Sequence, residues 1–145
     1  MANKIYNQQK VVTSEASVGG SSLSGRLIYR GFNSRKRKDH FKENDVALIK
    51  QDLLNHFNIR KGEKLEQPNF GTIIWSMVFE PMTEDNVQKI SDDVSEIINR
   101  DPRVTPNNIT VDSTEQGIRV ECDLQFTGLD QTERLRLDFN RTQEN

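Results

Sequence analysis

A chain of 145 residues with a formal net charge of −2 makes about one domain, large enough to bury a modest core without metals or disulfides. Only 33% of its residues are apolar, so part of the sequence lies outside the core or partners complete the burial. One cysteine, no charged-then-apolar leader and no apolar run near the roughly 20 residues of a membrane span argue against a disulfide scaffold, secretion and a transmembrane segment, and predict a cytoplasmic compartment.

The small net charge hides an asymmetry. Residues 26–64 hold eleven Lys/Arg against five Asp/Glu, and residues 65–145 hold seven against sixteen, a contrast of +6 with −9. Such polarity suits a subunit placed between two differently charged neighbours, because complementary potentials fix orientation.

Residues 1 to about 25 are polar, and Gly19, Gly20, Ser21, Ser22, Ser24 and Gly25 break any periodic pattern. Alone, such an arm is expected to be disordered, and partner chains are expected to order it. Leu27, Ile28, Tyr29 and Phe32 form a short apolar anchor before the basic run Arg35, Lys36, Arg37, Lys38. The domain division is thus an extended arm over 1–43 and a folded unit over 44–145.

From Asn44, a candidate N-cap, Val46, Ile49, Leu53, Leu54 and Phe57 recur at helical spacing, predicting a helix to about Asn58. After a loop from Gly62 to Phe70, the block Ile73 to Phe79 reads as a buried helix ended by Pro81, with a strand as the alternative. Trp75 should pack in it, its indole N–H reaching a backbone carbonyl. Phe70 and Gly71 read as a hinge that sets this block against the first helix. Thr83 caps a third helix whose stripe is Val87, Ile90, Val94, Ile97 and Ile98, with Asp92, Asp93 and Glu96 on a polar face that is either solvated or a contact surface for a basic partner. Burying five such side chains contributes on the order of 10 kcal/mol as an upper bound, far more than intrinsic propensity decides.

Beyond Pro102 the period changes from 3.6 to 2. Ile109 and Val111, then Ile118, Val120, Cys122, Leu124 and Phe126, then Leu135, Leu137 and Phe139 alternate along three segments, with a turn at Gly117. The predicted fold class is α+β: about three helices on a small three-stranded antiparallel sheet, with an extended N-terminal arm. So small a sheet exposes two edges able to accept another chain's strand.

No constellation suggests catalysis. His40 and His56 stand apart from each other and from Cys122, which falls in the apolar series, and no carboxylate pair is marked as a glycosidase pair would be. The run Arg35 to Lys38 could meet phosphates, but no aromatic interleaves it and the second half of the chain is acidic, which favours a solvated or protein-facing run. Arg100, Asp101, Pro102 and Arg103 on composition alone read as a helix terminus.

Arg60, Lys61 and Gly62, five residues, then Pro68, Asn69, Phe70 and Gly71 leading into an apolar block that closes at Glu80 and Pro81, resemble the small baseplate-wedge proteins of contractile phage tails. That family, the sheath initiators, carries in part a lysozyme-like label and has a counterpart in type VI secretion baseplates. The resemblance covers about two-thirds of the chain from near Asn44. It implies a structural, non-enzymatic subunit without cofactors or metals, assembled in the host cytoplasm into the virion tail baseplate in six copies. It implies binding to the wedge core-bundle subunits through an acidic-Pro-Arg corner, here Asp101, Pro102 and Arg103, with Asp where the family has Glu.

It further implies pairing of the sheet with the tail sheath protein, through the strands bearing Ile118, Val120, Leu124, Leu135, Leu137 and Phe139. The arm and the basic run at Arg35, Lys36, Arg37 and Lys38 would meet protein neighbours, including tube-proximal or hub proteins, with no membrane and no sequence-specific nucleic acid as partner. The alternatives are an adaptor for a basic protein or nucleic acid and, more remotely, a peptidoglycan-cleaving tail lysozyme.

Overall fold

The computed structural model describes residues 30–32, 42–129 and 131–141. The arm before Arg30, the basic run and His40 lie outside the described residues. In chain order the elements are β1 (Arg30–Phe32), β2 (Lys42–Asn44), α1 (Asp45–Phe57), α2 (Ile74–Met77), α3 (Glu84–Asn99), β3 (Val104–Thr114), β4 (Gly117–Phe126) and β5 (Gln131–Asn140).

The strands β1 and β2 pair antiparallel, Arg30 opposite Asn44, and lead into α1 through Asp45 at φ 49°. Helix α1 follows from its apolar spacing: Ile49, Leu53, Leu54 and Phe57 all turn inward. The loop after it is tied back by two backbone bonds, Thr72 N–H to Ile59 O at 2.9 Å and Lys61 N–H to Thr72 O at 3.1 Å. Gly71 makes this crossing possible, since its φ is +106° and a Cβ there would stand 2.6 Å from Ile59 O. The expected hinge is therefore a close approach of two backbone segments.

The block after it is helical but short, four residues. Ile74, Trp75 and Val78 are buried, and the Trp75 indole donates to Phe57 O at 2.8 Å. Phe79 departs from the expectation: it is 63% exposed, because α2 has already ended and the chain is turning towards Pro81.

Thr83 caps α3, its hydroxyl accepting from Asn86 N–H at 3.3 Å. Ile90, Val94, Ile97 and Ile98 form its buried stripe and Val87 is half-buried. Asp93 is the correction: it sits under the α1–α2 loop rather than in solvent. Its carboxylate accepts from Thr72 Oγ1 at 2.7 Å and Ile73 N–H at 3.1 Å, with Lys61 Nζ 3.9 Å away. It thus satisfies backbone and hydroxyl donors at the start of a helix that has no side-chain cap of its own.

The sheet is an antiparallel meander in the order β3-β4-β5, with helices on one face. Its central strand alternates as the sequence predicts, Ile118, Val120, Cys122, Leu124 and Phe126 facing the helices. Trp75 meets Phe139 edge-on at 4.9 Å and Phe57 meets the same ring at 6.4 Å, which locks α1 and α2 over β5. Strand β3 begins at Val104, five residues before the apolar alternation announces it, because its first half carries Pro106 and a register shift between Asn107 and Thr110. Asn108 takes φ 48° there.

Candidate functional site

Two surfaces stand out: an open groove between α1 and the end of α3, and one edge of the sheet. The groove holds about 630 Å³ and is lined by Asp52, Leu53, Asn55 and His56 from α1, Phe70 from the loop, Ile97 and Arg100 from α3, and the corner Asp101, Pro102 and Arg103.

The corner is built by its own acid. Asp101 Oδ1 accepts from the Arg103 backbone N–H at 3.0 Å, an Asx-type turn two residues long that a glutamate, one methylene longer, would not reproduce. The same carboxylate takes the Arg103 side chain through Nε at 2.8 Å, and Arg103 Nη2 reaches on to Asp52 Oδ2 at 2.8 Å. Arg103 therefore joins the turn to α1 across 51 residues of sequence. The guanidinium holds the Asp101 carboxyl below its ordinary range, against the opposing effect of burial. Arg103 is raised in turn, chiefly by Asp101. Pro102 is exposed at the tip. The Arg103 guanidinium of the corner expected to meet a partner is thus engaged within the chain, and what the corner presents outward is a preset charge cluster around Pro102.

Sequence reasoning missed His56, which it left isolated. Its ring stacks on Phe70 at 3.9 Å between centroids, and its Nε2 accepts the Gly71 N–H at 3.1 Å. That bond requires the neutral ring with its proton on Nδ1. Burial first, then the nearby Arg100, pushes the imidazole pKa below its ordinary 6.5, while Asp93 pulls the other way. Arg100 also fastens the loop, donating to Asn69 O at 3.2 Å while paired with Glu96 at 2.6 Å. Only the place of His56 in the last turn of α1, beside the glycine crossing, could have pointed to this role.

The groove brings Asp52 and Asp101 together on a shared arginine that lowers the Asp101 pKa, whereas the acid of a glycosidase pair needs a raised one. Among the described residues no three His, Cys, Asp or Glu side chains cluster as a metal site. Cys122 is buried and its thiol is pushed up to about 12 by desolvation, so it is not poised as a nucleophile.

At the sheet, Ile118, Val120, Leu124, Leu135, Leu137 and Phe139 are all buried core residues, so their side chains are not contact surface. Strand β4 is paired on both sides and can only support an edge. Backbone geometry decides what β5 offers. Arg141 N–H bonds to Gln116 O at 2.6 Å just past the strand ends, and Thr127 N–H bonds to Arg103 O at 2.8 Å at the far end of β4. Antiparallel alternation from those anchors turns the N–H and C=O groups of Leu135, Leu137 and Phe139 towards β4. It turns those of Thr132, Arg134, Arg136 and Asp138 away from the sheet.

The two edges differ. The same alternation places Pro106 where its N–H would face outward from β3, and the bulge follows at once, so that edge is interrupted. Strand β5 runs ten residues with no proline, glycine or bulge. Its solvent face carries cross-strand charge pairs, Arg119 with Asp138 at 2.6 Å and Arg134 with Asp123 at 2.9 Å.

With this geometry in place, comparison with known proteins is informative. The family model described as baseplate wedge protein gp25 matches residues 43–130. Among solved structures, a Geobacter sulfurreducens protein provisionally described as a tail lysozyme superposes with a TM-score of 0.56 at 17% identity, covering 66% of this chain and 91% of that one. At that identity the likeness is one of fold. Comparison with curated proteins gives no match.

Proposed function

The chain belongs to the baseplate wedge protein gp25 family, structural proteins of the phage tail baseplate, and on that premise we propose that it is a non-enzymatic subunit that links the wedge to the sheath. The observation that carries this reading is the unbroken β5 edge, whose outward backbone groups at Thr132, Arg134, Arg136 and Asp138 form a template for strand addition. On this reading a terminal arm of the first sheath ring adds to β5, and later rings repeat the exchange. The groove at the other end of α1 takes a segment of the larger wedge subunits against Pro102, Phe70 and the charge cluster of Asp52, Asp101 and Arg103. The residues before Arg30 and the basic run would add contacts to neighbouring tail proteins.

The two surfaces predict separable failures. Arg103→Ala frees Asp52 and Asp101 and loosens the corner, at a cost of about 1 kcal/mol in the partly exposed cluster. Wedge complexes should then be lost in size exclusion while the fold melts near its usual temperature. Undiminished wedge complexes would remove the corner from the account.

A further inference from the structure

One side chain of the groove is nearly buried and only half used. His56 is 9% exposed and sits in the last turn of α1 among the groove residues. Phe70 stacks on its ring and Nε2 accepts the Gly71 N–H, so the proton is on Nδ1, and of the two nitrogens only Nδ1 is left for the groove. Among the described residues nothing accepts from that Nδ1–H, and the atom is not sealed from solvent. In the open groove solvent can serve it. An occupant that displaces the solvent must bring an acceptor, because a donor stripped of every partner costs more than the hydrogen bond it would make.

The rest of the lining narrows what that acceptor is. The two guanidiniums are matched within the chain, Arg103 by Asp101 and Asp52 and Arg100 by Glu96, so the groove has no surplus of positive charge to draw an anion. A carboxylate would also enter beside Asp52 and Asp101, and it would favour the doubly protonated ring, which has no lone pair left for the Gly71 N–H. Lysine and arginine side chains carry donors only. Leu53, Ile97 and Phe70 give the groove apolar walls.

We propose that the groove seats a stretch of the partner chain that places an uncharged carbonyl oxygen on His56 Nδ1–H and an apolar side chain against Leu53, Ile97 and Phe70. The inference rests on the reading of the groove as the wedge contact and specifies what enters it. Carbonyls inside a helix already bond to their own chain, so the segment is extended or ends a helix at this point.

The test titrates the full chain into purified wedge subunits by calorimetry and compares the parent with His56→Gln and Arg103→Ala. The glutamine oxygen can take over the Gly71 N–H, while no donor is left at the Nδ1 position. His56→Gln should weaken binding roughly tenfold with the Gly71 amide still protected from hydrogen exchange. The parent gives a second reading that needs no variant, through solid-state 15N NMR of the histidine-labelled chain in the sedimented complex. The bound ring should stay singly protonated on Nδ1, with the Nδ1 signal shifted by its new hydrogen bond. An Nδ1 signal unchanged from the free chain, or a doubly protonated ring in the complex, would overturn the inference whatever the variants do. If Arg103→Ala weakens binding while His56→Gln binds like the parent, the groove keeps its wedge role and the carbonyl contact falls; if neither variant matters, the wedge reading of the groove falls with it.

Discussion

At the scale of single residues, two buried polar groups hold the loop between α1 and α2, and each makes a distinct prediction. Asp93 takes two donors from Thr72 and Ile73 in a setting where water cannot replace it. Asp93→Ala should cost about 2–3 kcal/mol in chemical denaturation, and a loss under 0.5 kcal/mol would deny it this role. His56 acts through its proton. Its folded pKa lies below the ordinary 6.5, so the unfolded chain binds the proton more readily. The stability it supports is complete above about 6.5 and is lost as pH falls from there through the folded value. Melting temperature should drop between pH 7 and 5, and His56→Gln should flatten that part of the profile. Neither role was legible in the sequence. Asp93 lies one position from Asp92 on the same helix, and only the loop folded above it separates a buried acid from a solvated one. Arg103 was singled out from its motif as a partner contact, whereas the structure engages it with Asp101 and with Asp52 of α1, a pairing no spacing reveals.

At the scale of elements, apolar period carried most of the reading, and it failed where side chains stop marking the strand. The helix from Asp45 to Phe57, the helix from Glu84 to Asn99 and the last two strands follow their periodic stripes closely. The first five residues of β3 do not, because an edge strand with a proline and a bulge has little apolar alternation to show. Phe79 was misplaced for a related reason: an apolar run does not say where a four-residue helix ends. The identity of the free edge needed the ladder itself, since strand order cannot be read from alternation. The hinge at Gly71 supplies the prediction at this scale. Gly71→Ala should destabilise by roughly 2–4 kcal/mol, as it combines a left-handed backbone with a Cβ 2.6 Å from Ile59 O. A variant as stable as the parent would show that the crossing can relax.

At the scale of the whole molecule, the fold separates two surfaces. Helices α1 and α3 shape the groove and corner, while among the described residues β5 forms the uninterrupted edge of the sheet, and the shared aromatic contacts among Phe57, Trp75 and Phe139 hold the two in fixed relation. No helix among the described residues is long and apolar enough to cross a membrane. Templating of the sheath by β5 is the proposal that decides the rest. Its most direct measurement is the assembly of purified wedge, chain and sheath protein followed by electron microscopy, comparing the parent with Arg136→Pro and with Arg136→Gln as the charge control. Sheath tubes should grow from wedge complexes with the parent and the glutamine variant, and wedge complexes should form without tubes with the proline variant. Tubes of normal frequency and length from the proline variant would contradict it.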